Sequence, residues 1–203
     1  MAKLPLLESP QVFGLHANAL VTRDLQDTRA LLDALLLTQG QDSGGGDASG
    51  APAPEDVLWA SAGDILDKLP PSFDLEAAQA KFPVTYLESM NTVLCQELGR
   101  VNVLLDIVRS SLQELRKAVR GLVVMSASLE KVGAALLVGR VPELWLTRSF
   151  PSLKMLGAYV KEVVERCEFF GSWLADGPPV VFWLSGLFFT QAFLTGAKQN
   201  YAR

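Results

Sequence analysis

The chain has 203 residues, 49% of them hydrophobic and 20% charged, with a formal charge of -4. That length supports one domain able to bury roughly 70% of its unfolded surface, and the acidic balance lacks the basic face that nucleic acid requires, so no nucleic-acid partner is expected. One histidine and two cysteines cannot build a structural zinc site unless carboxylates supply half the ligands, and they fit a reduced, intracellular compartment.

The opening MAKLPLLESP meets Pro5, Glu8 and Pro10 before any apolar run of signal-peptide length, so a secretory route is not expected. Ser9-Pro10 reads as an N-cap with proline at the first helical position, giving a single turn over 11–13 that Gly14 closes. Thr22 can cap a helix to about Leu37, with Leu25, Leu32, Leu35 and Leu36 as its apolar side and Arg23, Asp24, Asp27 and Arg29 as its wet side. Residues 39–54 (QGQDSGGGDASGAPAP) carry no large apolar anchor and are expected to form a disordered loop. The triple glycine there lacks the preceding strand and the following Gly-Lys-Ser/Thr of a phosphate-binding loop.

Helical patterning resumes over 55–68, where Val57, Leu58, Ile65, Leu66 and Leu69 form the buried face and Pro70-Pro71 stop the helix. A short helix over 74–82 ends at Pro83. From 85 to 119 there is no proline. Leu94, Leu98, Val101, Leu105, Val108, Leu112, Leu115, Val119 and Leu122 recur at four- and three-residue spacing, which predicts a helix of about 35 residues, roughly 50 Å long, ending near Gly121. Such a seam also suits a coiled coil, but Leu87, Val93, Val103, Leu104 and Ile107 widen it into the face of a bundle helix with several neighbours.

A further helix runs from Ser126 or Ser128 to about Val138 and folds back antiparallel to the long one. Trp145 follows in an aromatic turn with Phe150-Pro151. Ser152 precedes a helix over 153–175, with Leu156, Tyr159, Val160, Val163, Val164, Cys167, Phe170, Trp173 and Leu174 buried and Lys161, Glu162, Glu165 and Arg166 exposed. The next stretch, GPPVVFWLSGLFFTQAFLTGA over 177–197, has the length of a membrane span, but Pro178, Pro179, Ser185, Gly186, Thr190, Gln191 and Thr195 dilute it. It reads as an extended segment, a turn at Ser185-Gly186 and a helix over 187–201 with Phe189, Phe193 and Ala197 in one stripe and Phe188 and Ala192 beside it. In isolation this stretch should expose a hydrophobic patch that includes Phe188 and Phe193. No strand is assigned anywhere, and the expected fold is all-α: an elongated helical bundle with one long central helix and few or no strands.

Catalytic chemistry would need a nucleophile with its base, paired acids, a metal cage or a phosphate loop. His16 has no Gly-x-Ser-x-Gly elbow to serve and reads as a hydrogen-bonded loop residue. Cys95 and Cys167 fall on apolar faces, as small core residues do. Asp64, Asp67, Glu88, Glu97 and Asp106 are scattered over helix surfaces and most are expected in water. Trp59, Trp145, Trp173 and Trp183 are spread as packing anchors, and Gly99, Gly133 and Gly157 inside helices suggest close approach of neighbours. No catalytic, cofactor-binding or metal-ligating residue is therefore assigned, and no cofactor is expected.

Several phrases, in order, carry a resemblance. Phe13–Ala19 matches Phe-Gly-Leu-His-x-Asn-Ala, and there follow Glu88-Ser89-Met90-Asn91-Thr92-Val93-Leu94, Pro142-Glu143-Leu144-Trp145, Pro151-Ser152-Leu153-Lys154, Gly177-Pro178-Pro179 and Gln199-Asn200-Tyr201-Ala202-Arg203. Together they resemble the C-terminal region of axonemal dynein heavy chains, specifically the helical half of the C-terminal domain after the sixth AAA+ module. The resemblance implies a segment at 1–38 following the AAA+ lid, a Gly/Ser/Pro-rich insertion at 39–54, and the helical part of the domain at 55–203, truncated before a β-rich half. It also implies a non-catalytic piece that braces and modulates the motor ring, in the cytoplasm and the axoneme of the cilium. Implied partners are the AAA+ ring modules, the β-rich half, and dynein intermediate and light intermediate chains, with microtubules touched only indirectly and no membrane. A stand-alone helical scaffold or adaptor without motor activity is the rival. This chain holds no Walker motif or stalk, so it is not expected to be an enzyme by itself, although full-length family members are microtubule motor ATPases.

Overall fold

The structure, a computed structural model, describes His16 and residues 18–38 and 53–202. Among the described residues there are eight α-helices, one 3-10 turn and no strand. The chain divides into two compact units, 1–51 and 52–203.

In the first unit, α1 (Asn18–Thr38) starts earlier than Thr22. His16 caps it: its Nδ1 accepts the Asn18 amide at 3.2 Å and its carbonyl accepts the Ala19 amide at 2.9 Å. Thr22 instead donates its hydroxyl back to the Asn18 carbonyl at 3.3 Å, a habit of threonine inside a helix. Leu25 and Leu32, expected on a buried side, are exposed. The turn at 11–13 and residues 39–52 of the expected loop lie outside the described residues.

In the second unit, α2 (Pro54–Lys68) takes Pro54 as its first residue, where a missing N–H costs nothing, and Leu69 ends it before Pro70-Pro71. Leu58 and Ile65 are buried with Ala62, whereas Val57 is exposed. Asp74 caps α3 (Leu75–Lys81), accepting the Glu76 and Ala77 amides at 3.0 Å each. The longest described helix is α4 (Ser89–Val119), of 31 residues. It starts four residues later than the sequence pattern suggests, because residues 85–88 form a turn in which the Glu88 amide donates to the Thr85 carbonyl at 3.2 Å. That leaves Leu87 70% exposed.

The seam of α4 from Leu94 to Leu115 is buried, together with Val93 and Leu104, while Val103 on the opposite side is exposed. This face packs against α2, α3, α5 (Ala127–Leu137), α6 (Glu143–Leu146), α7 (Leu156–Asp176) and α8 (Thr190–Tyr201). A helix with six neighbours is a bundle helix. It ends in a Schellman turn: Gly121 has φ +72°, the Leu122 amide reaches the Lys117 carbonyl at 2.9 Å and the Gly121 amide reaches Ala118 at 2.9 Å. Leu122, one step beyond, projects into solvent. Ser126 caps α5, accepting the Leu129 amide at 3.3 Å, and Gly139 at φ +70° closes it in the same way.

Trp145, on α6, is fully buried and donates its indole N–H to Ser111 of α4 at 2.9 Å. It stacks toward Tyr159 of α7, which also lies 5.4 Å from Phe150 and donates its hydroxyl to Ser149 at 2.7 Å. On α7 the predicted apolar face is buried from Leu156 to Trp173, with Val164 and Leu174 half-buried. Met155, not Ser152, precedes its first turn. No helix among the described residues is long and apolar enough to cross a membrane.

Candidate interface of the C-terminal segment

Gly177, at φ +95°, ends α7 and turns the chain into the uncharged stretch. Val180 and Val181 are fully or largely exposed, but Phe182 turns inward, 5.1 Å from the Trp173 ring and 4.7 Å from Phe193. The 3-10 turn Leu184–Gly186 follows. A Cβ at Gly186 would collide with the Trp183 ring, so only glycine lets the indole lie on the turn. Phe193 is 9% exposed and Phe188 packs edge-on to Phe150 at 5.5 Å, so these two rings belong to the core rather than to an exposed patch.

Two charged clusters hold this segment down, and both overturn the expectation that their residues face water. Arg166, 3% exposed, donates to the Gly186 carbonyl at 2.6 Å and to Glu162 at 2.7 Å, with its guanidinium 3.5 Å from the centre of the Phe150 ring. Glu162 also pairs with Lys154 at 3.0 Å. Burial, the largest single influence, raises the Glu162 carboxyl, but the hydrogen bonds and charges of Arg166 and Lys154 together hold it below the ordinary carboxylate range. Burial likewise raises Tyr159, against the lowering influence of its Ser149 hydrogen bond and Arg166.

Glu97 is the second anchor, at 0% exposure inside α4. Its carboxylate accepts the Phe188 and Phe189 amides at 2.5 and 3.0 Å and pairs with Arg100 at 2.8 Å. These two amides precede α8, so an α4 side chain fixes where α8 begins; the helix therefore opens at Thr190 rather than 187. Farther along, Gly196 allows α8 onto α4. A Cβ there would meet Met90 at 2.7 Å and Val93 at 3.3 Å. The Ser89 hydroxyl donates to the Gln199 side chain at 3.1 Å.

Between 84–96 and α8 lies an open groove of about 730 Å³ whose walls include Val84, Tyr86, Gln96, Phe189 and Gln199. Apart from Tyr86, its lining has no ionisable side chain. Phe189, Gln191, Thr195 and Gln199 are exposed along its α8 side. An uncharged, partly apolar cleft of this kind offers packing and amide hydrogen bonds to a partner, without an acid–base pair.

The residues singled out from sequence do not converge on it. His16 caps α1. Cys95 is half-buried and Cys167 buried; burial raises both thiols, that of Cys167 to about 11 with Glu168 adding to it. Asp64 pairs with Lys68 at 2.6 Å and Asp106 accepts from Ser72 at 3.2 Å. Trp145 and Trp173 are core residues, and Trp183 flanks Gly186. Of the three helical glycines, only Gly133 meets neighbours, with Leu115 and Leu58 at 3.5 and 3.6 Å; Gly99 and Gly157 face open space. Among the described residues no group of three His, Cys, Asp or Glu could hold a metal. Sequence reasoning missed Glu97, Glu162 and Arg166. The available signal was spacing: Glu97 lies three residues after Leu94 and four before Val101, on the buried stripe.

The family model for the C-terminal domain of the dynein heavy chain matches residues 25–203. Dynein axonemal heavy chain 12 of Homo sapiens is 52% identical over 202 residues, covering 99% of this chain and 6% of that protein. Dynein axonemal heavy chain 3 of Mus musculus is 52% identical over 200 residues (98% of this chain, 5% of that protein), and dynein axonemal heavy chain 1 of Homo sapiens is 46% identical over 200 residues (98% and 5%). The chain thus spans about one-twentieth of the length of these relatives. With the match running through α2 to α8 and every anchor of the C-terminal segment, the protein belongs to the family of C-terminal domains of dynein heavy chains.

Proposed function

We propose that this chain is the helical part of the C-terminal domain of an axonemal dynein heavy chain, a non-catalytic element that braces the AAA+ motor ring and modulates its minus-end-directed movement on microtubules. Residues 1–38 follow the AAA+ lid, 39–54 are an insertion and 55–203 are the bracing bundle. It works in the cytoplasm and the ciliary axoneme, against the ring modules and the β-rich half of the domain, alongside intermediate and light intermediate chains, with microtubules reached only through the rest of the motor. The observation that carries this reading, beyond the family match, is the uncharged groove beside α8, whose walls Glu97 and Gly196 hold in register. A preformed apolar face avoids most of the ordering cost of association.

The test uses the full heavy chain with Gln191→Glu and Thr195→Glu, two exposed α8 positions that line the groove. Ring ATPase and microtubule gliding should both change while the helical content of the 203-residue chain stays as it was. Unchanged ATPase and gliding would defeat the bracing role. ATP hydrolysis by the isolated chain, abolished by a substitution within it, would defeat its non-catalytic character.

A further inference from the structure

A second surface, at the other end of α4, has different chemistry. The Arg116 and Arg120 guanidinium carbons lie 3.8 and 3.5 Å from the centre of the Trp59 ring on α2. At such distances a guanidinium stacks flat on the indole, which occupies its face and leaves its in-plane N–H groups, the buried Nε of Arg116 excepted, available to acceptors. Gly63, one turn beyond Trp59, lies beside Arg116: a Cβ there would be in ordinary contact with its guanidinium carbon, at 4.0 Å. The two like charges are no farther apart than the sum of their distances to the ring. Lys117, exposed beside them, adds a third.

Among the described residues, no carboxylate pairs with any of the three, and the buried Arg116 Nε has no hydrogen-bond partner. These residues line a cleft of about 520 Å³ with Gln113 and Leu122. The negative end of the α4 dipole favours cations in this turn. It does not account for two guanidiniums stacked on one indole, nor for the exposed run Leu122-Val123-Val124 that adjoins them.

We infer that this end of α4 docks a protein segment that presents carboxylates to Arg116, Lys117 and Arg120 and an apolar side chain to Leu122 and Val124. Stacked arginines with free edges take carboxylates in bidentate fashion. A small inorganic anion would leave the aliphatic run uncovered, and three cations on a chain of net charge -4 are too few for a nucleic-acid track. The inference stands apart from the groove at α8 and does not need the bracing role.

The protein is purified in the assembly it forms in cells and treated with a carbodiimide, which joins an amine to a carboxylate already in contact with it. Lys117 should be found amide-linked to an Asp or Glu flanked by apolar residues and lying outside this 203-residue chain. The yield should fall about tenfold in 1 M salt, where the screening length is near 3 Å, and by a similar factor with Arg120→Gln. Lys117→Glu, at an exposed position, should abolish partner retention without shifting the thermal melt of the protein. Links from Lys117 only to its own helix at Glu114, or a yield indifferent to Arg120→Gln, would overturn the inference. So would loss of the link in millimolar phosphate at constant ionic strength, which would mark a site for free anions.

Discussion

Glu97→Ala tests whether a buried charge, rather than the apolar stripe around it, sets α8 in place. The carboxylate takes two backbone amides and one guanidinium and has no contact with water. Hydrogen bonds to a charged group contribute about 1.5–3 kcal/mol each. The Arg100 side chain is 38% exposed and can return to water, so its share is small. Losing the two amide contacts alone therefore costs about 3–6 kcal/mol, which in a protein of this size lowers the melting temperature by about 6 °C or more. Glu97→Gln keeps one acceptor oxygen without the charge and should cost about half as much. Arg100→Ala leaves both amide bonds in place but takes the cation from a carboxylate out of contact with water, and should cost about 1–3 kcal/mol, less than Glu97→Ala. Urea unfolding of the 203-residue chain, followed by far-ultraviolet circular dichroism, gives the three values, and hydrogen exchange at the Phe188 and Phe189 amides should accelerate in Glu97→Ala. A loss under about 0.5 kcal/mol for Glu97→Ala, or equal losses for it and Arg100→Ala, would refute the assignment of α8 placement to this carboxylate.

Gly196→Val should destabilise the protein by about 2–3 kcal/mol, because Met90 can swing away but the branched Val93 cannot, whereas Gly99→Ala and Gly157→Ala, facing open space, should stabilise by about 0.5–1 kcal/mol each in the same urea series. Because the folded pKa of Glu162 lies below its unfolded value, its contribution is complete above about pH 4.5 and is lost as pH falls through the folded value; urea midpoints should decline below that pH, and less steeply in Glu162→Gln. At pH 8, with the Cys167 thiol pushed up to about 11 and its side chain buried, alkylation should label Cys95 well before Cys167, by mass spectrometry of the digested product.

Much of this fold was legible because its causes are local. Asp74 and Ser126 cap the helices they precede, Gly121 ends α4, Pro70 follows α2 closely, and the three-and-four spacing from Leu94 to Leu115 names the buried face. Misreadings arose where a residue's partner is distant in the sequence. Glu97 sits on the stripe, yet its acceptor role requires amides 91 and 92 residues later; Arg166 needs a carbonyl 20 residues on. Composition assigns such residues to water because an unpaired buried charge is prohibitively costly, and only the tertiary structure supplies the pairing. The same blindness made Phe188 and Phe193 read as an exposed patch, when Phe150 and Phe182 cover them and the exposed large apolar side chains of that stretch are Val180, Val181, Leu184, Phe189 and Leu194.

These distant pairings bear on the groove. Its α4 wall and its α8 wall are distant in the sequence, Ser89 and Gln199 lying 110 residues apart, and apolar packing alone would let α8 slide or rotate on α4, since many rotamers satisfy a greasy contact. Two amides on a single carboxylate are less forgiving: a shift of about 1 Å takes them beyond hydrogen-bonding range. Ser89 on Gln199 and Gly196 on Met90 and Val93 repeat the constraint farther along the helix. A partner that reads Phe189, Thr195 and Gln199 together thus meets a fixed surface, and Glu97→Ala should weaken that partner's grip even in conditions where the core remains folded, because the ordering of α8 would then fall on the binding step.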